Sequence, residues 1–399
     1  MQLAKTESQV TLKVTDKDLY STNPGTLAGR YLRHHWQPVG RARDIAAGRA
    51  YPVQVMGERI TVYRGESGRV HALQAYCPHR ATLLSTGWVE GEALRCRYHG
   101  WQFGEDGSCL EQPGKNDAIT RAAHIRAYPA QDYLDLVFVY LGEGNPPPMR
   151  RFPDFERPGV LEASPLIERW PCNVFNRIDN ACDIAHLIYT HRESTSRAPD
   201  FHWRLVHPSL ASEETEYGTR TCEIRPGRPI SYAHFHMPNV NQVRARGVLE
   251  GAPGEPPRPI LGDRLFFRVP VDDEHCVSYV VDHYALTPEE TARHAAGREQ
   301  RQDQKLEFLH KTAESVLRGE ARLEDLKPGL STYQIFWMED YIVQVGQQPA
   351  PEGRSEQLVR TDSGVALLRR IWRRELQALA DGTPLKNWVT PSGLSGGAE

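Results

Sequence analysis

Two short stretches, Cys77-Pro-His79-Arg80 and Cys96-Arg-Tyr-His99-Gly100-Trp101, constrain this chain more than any other feature. They read Cys-x-His, sixteen intervening residues, then Cys-x-x-His. Whatever fold surrounds them must bring together two loops, each offering one thiol and one imidazole. Two thiolates and two imidazoles can hold a [2Fe–2S] cluster, the cysteines on one iron and the histidines on the other, with potentials of about −150 to +300 mV. Zinc accepts the same donors, but zinc fingers pair like ligands within each short cluster. One cysteine and one histidine per loop favour the iron–sulfur reading. A cluster of this kind passes one electron at a time.

A second metal pattern lies about ninety residues on. The run Asn173-Val-Phe-Asn176-Arg177-Ile-Asp179-Asn180-Ala-Cys182-Asp183-Ile-Ala-His186-Leu-Ile-Tyr-Thr-His191 contains Asn-x-x-Asp-x-x-His-x-x-x-x-His. Two histidines and one carboxylate on a single iron leave positions open for O₂ and substrate. Asp179, Asp183 and His186 fall at i, i+4 and i+7, one face of a helix. His191 follows His186 at a spacing that does not stack on a regular helix, so the helix is expected to end or distort near Tyr189. Asp183 stands three residues before His186, placed to receive the second N–H of a metal-bound imidazole.

With these residues in view, the chain resembles the α-subunits of Rieske non-haem iron oxygenases, in the branch of phthalate dioxygenase, phenoxybenzoate dioxygenase and dehydrodivanillate O-demethylases. The resemblance runs from about Gly25 to about residue 390. It implies that Cys77, His79, Cys96 and His99 hold one [2Fe–2S] cluster. It implies that His186 and His191 hold one mononuclear Fe(II). The third iron ligand falls in Trp337-Met-Glu339-Asp340-Tyr-Ile-Val-Gln344, on Asp340 by the family pattern, with Glu339 as the adjacent alternative. By the same resemblance Asp183 bridges a cluster histidine of one subunit to an iron histidine of its neighbour, so electrons would run through His99, Asp183 and His186. That wiring requires a homotrimer or a stacked pair of trimers. Asn176 and Asn180 would be amides near the iron.

The implied activity is that of a terminal oxygenase using O₂ and electrons from NAD(P)H. It would cis-dihydroxylate, monooxygenate or O-demethylate an aromatic acid or aryl ether. The chain has no dinucleotide-binding fingerprint, so a separate flavin or iron–sulfur reductase, with or without a ferredoxin, is the expected electron source. The alternative is a Rieske-type electron carrier without oxygenase chemistry.

Composition narrows the partners. Net charge is −3, which gives no basic surplus for nucleic acid or an anionic membrane. No apolar run reaches the length of a membrane span, and the N-terminus lacks a signal-peptide layout. Seven scattered cysteines suit a reducing cytoplasm better than a disulfide framework. The cluster loops also lack the extra cysteines that respiratory Rieske proteins carry.

The order of segments predicts an α+β chain, an all-β cluster domain followed by an α+β domain, and the resemblance implies that the second is a catalytic domain whose antiparallel sheet wraps around a helix. Residues 1–24 read as a loosely ordered arm and 26–38 as a helix stopped by Pro38. Residues 39–141 alternate in short runs typical of strands. Gly142 to Pro148 is a stiff proline-rich linker, putting the division at 142–149, and residues 150–399 form the second domain. Strands are expected near 219–226 and 229–237, a hairpin at 264–271 and 276–285, and helices at 299–318 and 361–381. His234 and His236 share a strand face, where packing outweighs metal binding. Cys182 reads as a buried apolar residue. Cys109, Cys172, Cys222 and Cys276 have no ligand-like spacing, and Arg177 reads as a surface salt-bridge partner.

Overall fold

A computed structural model describes residues 13–394 apart from 115–116, 165–166, 198–205, 252–254, 302–305, 327–328 and 349–353. The chain enters through two helices, α1 (Lys17–Tyr20) and α2 (Leu27–Arg33). Leu19 and Tyr20 are buried in the main core, so the arm expected to be loose is packed from α1 onward; residues 1–12 lie outside the described residues. The Thr26 hydroxyl accepts from the Gly29 N–H and caps α2. The helix stops at His34, earlier than the expected stop at Pro38. Pro38 instead lies in the strand Gln37–Arg41, at a sheet edge and a register shift, where a missing N–H is tolerated.

Three small antiparallel sheets follow, as the alternating runs predict. One comprises Arg49–Val55, Glu58–Arg64, Val70–Gln74 and Ala127–Tyr128. A second comprises Trp88–Glu90, Ala93–Arg95, Gln102–Phe103 and Cys109–Glu111. The third pairs Leu136–Val139 with both Gln37–Arg41 and Ala130–Tyr133. The short helix α3 (Asp117–Ala122) follows the second sheet. Cys77 and Cys96 sit in a small apolar cluster of their own with Tyr63, Leu73, Leu84, Leu94, Trp101 and Phe103. The larger core contains residues from both sides of 142–149.

The rest of the chain builds an eight-stranded antiparallel sheet. Its path runs Val160–Ala163, Cys276–Tyr284, Arg258–Pro270, Val240–Leu249, Ser231–His236, Gly218–Ile224, Ser209–Glu214, and Glu168–Trp170 pairs beside Cys276–Tyr284. Every residue of Cys276–Tyr284 is buried, which fits its run of valines. Helices α4 (Val174–Cys182), α5 (His186–Tyr189) and α6 (Arg192–Ser196) precede most of the sheet. After it come α7 (Pro288–Arg301), α8 (Leu306–Leu317), α9 (Leu323–Leu326), α10 (Thr332–Val345) and α11 (Ser363–Ala380). The helix expected at 299–318 overlaps α7 and α8, and residues 302–305 between them lie outside the described residues. α4 packs against the strand Arg258–Pro270, α10 and α11, the sheet-around-helix layout of an α+β domain. No described helix is long and apolar enough to cross a membrane.

Two helix boundaries position the site. The i, i+4, i+7 face was expected to continue to about Tyr189, but α4 ends at Cys182. Asp183 takes an extended conformation, φ −94° and ψ 91°, and its carboxylate accepts from the His186 N–H at 3.2 Å. A short acidic side chain that bonds the backbone ahead of it competes with helix continuation, so Asp183 itself makes the break. α10 was not anticipated as a helix, yet Ser331 and Gln334 form a capping box at its start, a motif readable in the sequence.

Candidate functional site

The two cluster loops fold the same way. The Cys77 N–H donates to the Thr82 carbonyl at 2.9 Å, and the Ala81 N–H donates back to the Cys77 carbonyl at 2.9 Å. Likewise Cys96 N–H bonds the Trp101 carbonyl at 2.8 Å and Gly100 N–H the Cys96 carbonyl at 3.0 Å. Ala81 and Gly100 both have positive φ, 51° and 73°. At Gly100 an added Cβ would also lie 3.1 Å from Pro113.

These turns bury both cysteines at 2% exposure and leave the His79 and His99 rings exposed. The imidazole centroids are 4.5 Å apart, and Trp101 stacks on His79 at 5.1 Å and 5°. Burial, with the Cys96 thiol close by, pushes the Cys77 thiol up to about 11. Two buried sulfurs beneath two exposed imidazoles fit the donor set of a mixed-ligand [2Fe–2S] cluster. Arg80 lies over Tyr98 and Arg97 over Trp88, so a basic aromatic rim surrounds the exposed imidazole edge.

The second donor set comes from α5, the start of α6 and α10. One ligand atom each from His186, His191 and Asp340 lies within 4.8 Å of the others. His186 Nδ1 is bonded to the Asp183 carbonyl, and His191 Nδ1 meets Glu339 Oε2 at 3.2 Å. With both Nδ1 atoms taken, the Nε2 atoms of His186 and His191 face the same Asp340 Oδ1 at 3.8 and 3.5 Å. Among the described residues His191 Nε2 is buried without a hydrogen-bond partner, an atom that a metal would satisfy. The arrangement fits a two-histidine, one-carboxylate iron site with an open face.

Electrostatics follow from this packing. Burial alone would push Asp340 up, but the His191 and His186 imidazoles hold it well below the usual carboxylate range. Burial pulls His191 down, yet Asp340 and Glu339 together carry it above its ordinary value. For His186 burial dominates and lowers it despite Asp340.

Several side chains around the triad escaped sequence reasoning. Gln344 donates to Asp340 Oδ1 at 2.9 Å; its i+4 spacing from Asp340 was the available signal. Glu339, the alternative ligand, turns instead to His191 and α6. Arg177 is not a surface residue: it is 4% exposed, donates to Glu168 at 2.7 Å and to Gln344 at 3.2 Å, and lies 3.5 Å over the Trp170 ring. Asn176 donates to the Gln344 carbonyl at 2.8 Å and accepts from Arg354, so it braces α10. Asn180 is half-buried in the last turn of α4, its carbonyl accepting from the Asp183 N–H at 3.2 Å. Asp179, expected on the face of Asp183, pairs with Arg369 of α11.

His234 and His236 do share one region, but His234 bonds Tyr217 at 2.7 Å and His236 bonds Gln242 at 3.0 Å. Cys182 is buried, as expected. All seven cysteines are free, and Cys172 and Cys276 bring their sulfurs to 4.0 Å, a proximity that their sequence separation hides.

Comparison with known proteins agrees with this geometry. The Rieske [2Fe-2S] domain family matches residues 35–129. The chain is 26% identical to the oxygenase subunit of 5,5'-dehydrodivanillate O-demethylase from Sphingobium sp. (strain NBRC 103272 / SYK-6), covering 91% of this chain and 80% of that protein. It is 25% identical to phenoxybenzoate dioxygenase subunit alpha from Ectopseudomonas oleovorans, covering 92% and 86%. Its fold matches the crystal structure of dicamba monooxygenase bound to dicamba, with a TM-score of 0.59 and 17% identity over 88% of this chain and 98% of that one. A cluster domain fused to an antiparallel catalytic sheet, shared along nearly the whole chain with oxygenase subunits, defines a class. The chain belongs to the Rieske non-haem iron oxygenases and is an oxygenase component, not an electron carrier alone.

Proposed function

We propose that this oxygenase component binds a mononuclear ferrous ion through His186, His191 and Asp340, and its cluster through Cys77, His79, Cys96 and His99. The observation that carries the reading is the occupied Nδ1 of each iron histidine. It leaves both Nε2 atoms free and turned toward one Asp340 oxygen. When bound, the cluster supplies single electrons and the ferrous ion supplies a site for O₂ beside a substrate. The protein's part is orientation: Asp183 holds His186, Gln344 holds Asp340, and Arg177 links Gln344 to the buried Glu168.

Electrons come from NAD(P)H through a separate flavin or iron–sulfur reductase, with or without a ferredoxin, which meets the basic aromatic rim around His79 and His99. Asp183 then serves as the bridge to His99 of a neighbouring copy in a homotrimer or a stacked pair of trimers. Its carboxylate is half-buried, and among the described residues it accepts from the His186 N–H. The chain divides at 142–149 into a cluster domain and a catalytic domain, and works in the cytoplasm, as its free thiols suggest.

The substrate is an aromatic acid or aryl ether. Support comes from relatives named for dehydrodivanillate O-demethylation and phenoxybenzoate dioxygenation. A reductase-coupled screen of aromatic acids and aryl ethers under ¹⁸O₂ tests this: product mass counts the oxygen atoms incorporated. No turnover of any aromatic acid or ether, by protein with its full iron content, would remove the substrate assignment.

A further inference from the structure

We propose that Glu339 is a positioning residue that sets the tautomer and ring orientation of His191. The inference rests on the reading of His186, His191 and Asp340 as a metal site. Glu339 is 3% exposed, and four donors surround its carboxylate. Oε1 accepts from the backbone N–H groups of Glu193 at 2.9 Å and Ser194 at 3.0 Å. Oε2 accepts from the Ser194 hydroxyl at 2.6 Å and faces His191 Nδ1 at 3.2 Å. A carboxylate is acceptor-only, so Glu339 keeps a proton on His191 Nδ1 and makes Nε2 the nitrogen that a metal would take. That Nε2 has no hydrogen-bond partner among the described residues and lies 3.5 Å from Asp340 Oδ1. Phe336, stacked on the His191 ring at 3.7 Å and 6°, holds the ring plane, while Glu339 decides which nitrogen faces Asp340. Carboxylates behind metal-bound histidines act in this way in general.

Glutamine at this position separates positioning from simple structural support. The two backbone N–H groups are fixed donors, so they retain the amide oxygen of Glu339→Gln at the Oε1 position. The amide NH₂ then faces His191 Nδ1 and donates to it. His191 is forced into the opposite tautomer, with its proton on Nε2, where it cannot ligate. The helix-start contacts that stabilise the fold survive.

The test uses full-length protein with its cluster intact and the mononuclear site stripped by a chelator. Co(II) uptake is measured by equilibrium dialysis and metal analysis, alongside the melting temperature of the stripped protein. Glu339→Gln should bind Co(II) about 10–100-fold more weakly than wild type, with an unchanged melting temperature. Ser194→Ala, which keeps the carboxylate but removes one of its holders, should lose affinity by a smaller factor. Wild-type affinity in either Glu339→Gln or Ser194→Ala overturns the proposal, as does a weakening in Glu339→Gln accompanied by a lowered melting temperature. His186→Ala is the control for the underlying site. If wild-type uptake persists in that variant, the metal assignment fails; if uptake is lost there but normal in Glu339→Gln, only the role of Glu339 fails.

Discussion

Arg369 of α11 reaches Asp179 of α4 with Nη2 at 2.5 Å from Oδ2 and Nε at 3.2 Å from both carboxylate oxygens. Both side chains are inside, 4% and 12% exposed, and Glu356 takes the remaining Nη1 at 2.5 Å. The pair ties the last described helix to the one that leads into the histidines, a contact 190 residues apart in sequence.

Breaking that pair should be severe. Removing one member of a buried ion pair leaves an uncompensated charge, at about 3–5 kcal/mol. Arg369→Ala is expected to lower unfolding stability by that amount in urea titration. Asp179→Leu combined with Arg369→Leu should recover most of the loss, because both charges of the pair go together and Glu356 keeps Arg354 as a partner at 3.1 Å.

His234 and His236 should both contribute to acid sensitivity. Burial, with Arg220 nearby, lowers His234 to about 4. Burial, with Arg150 nearby, lowers His236 well below its ordinary value. Unfolded histidines take up protons near pH 6.5, whereas these two stay neutral in the fold. The unfolded state therefore binds more protons as pH falls from about 6.5 to about 4, and stability drops across that window by about 1.4 kcal/mol per pH unit for each histidine. Above pH 6.5 neither contributes a slope. His236→Gln should remove about 1.4 kcal/mol per pH unit from the dependence in urea titrations repeated across this range.

The mononuclear site should be separable from the cluster. His186→Ala is expected to drop iron from about three to about two per chain while leaving the visible and spin-resonance signatures of the [2Fe–2S] centre intact. Loss of cluster signal instead would mean that the two donor sets had been exchanged.

Asp183→Asn should keep both metals but slow reductase-driven turnover by about 10–100-fold. The asparagine can still accept from the His186 N–H, so the break between α4 and α5 should survive and far-UV circular dichroism should not change. Normal turnover in this variant would remove Asp183 from the electron path.

Ligation chemistry made part of this protein readable from its order of residues alone. Cys77 with His79 and Cys96 with His99 are visible because each pair sits within one tight turn, where spacing alone brings donors together. The strands are visible because the pleat imposes a period of two, and α11 because its buried face recurs at helical spacing. Asp183 was legible as a neighbour of His186, but its effect on the helix was not. The chain breaks there without glycine or proline, because a side-chain bond to the His186 N–H competes with the next helical turn.

Longer-range choices belonged to the tertiary structure. Glu339 and Asp340 are neighbours of equal charge, and a helix turns about 100° between them; only the seating of α10 against α6 decides that one faces the metal donors and the other backs His191. Arg177 reads as a surface cation until Glu168 and Trp170 arrive from another element to enclose it. Short-range spacing constrains what one turn can present, whereas which face of a helix meets which partner depends on packing between segments far apart along the chain.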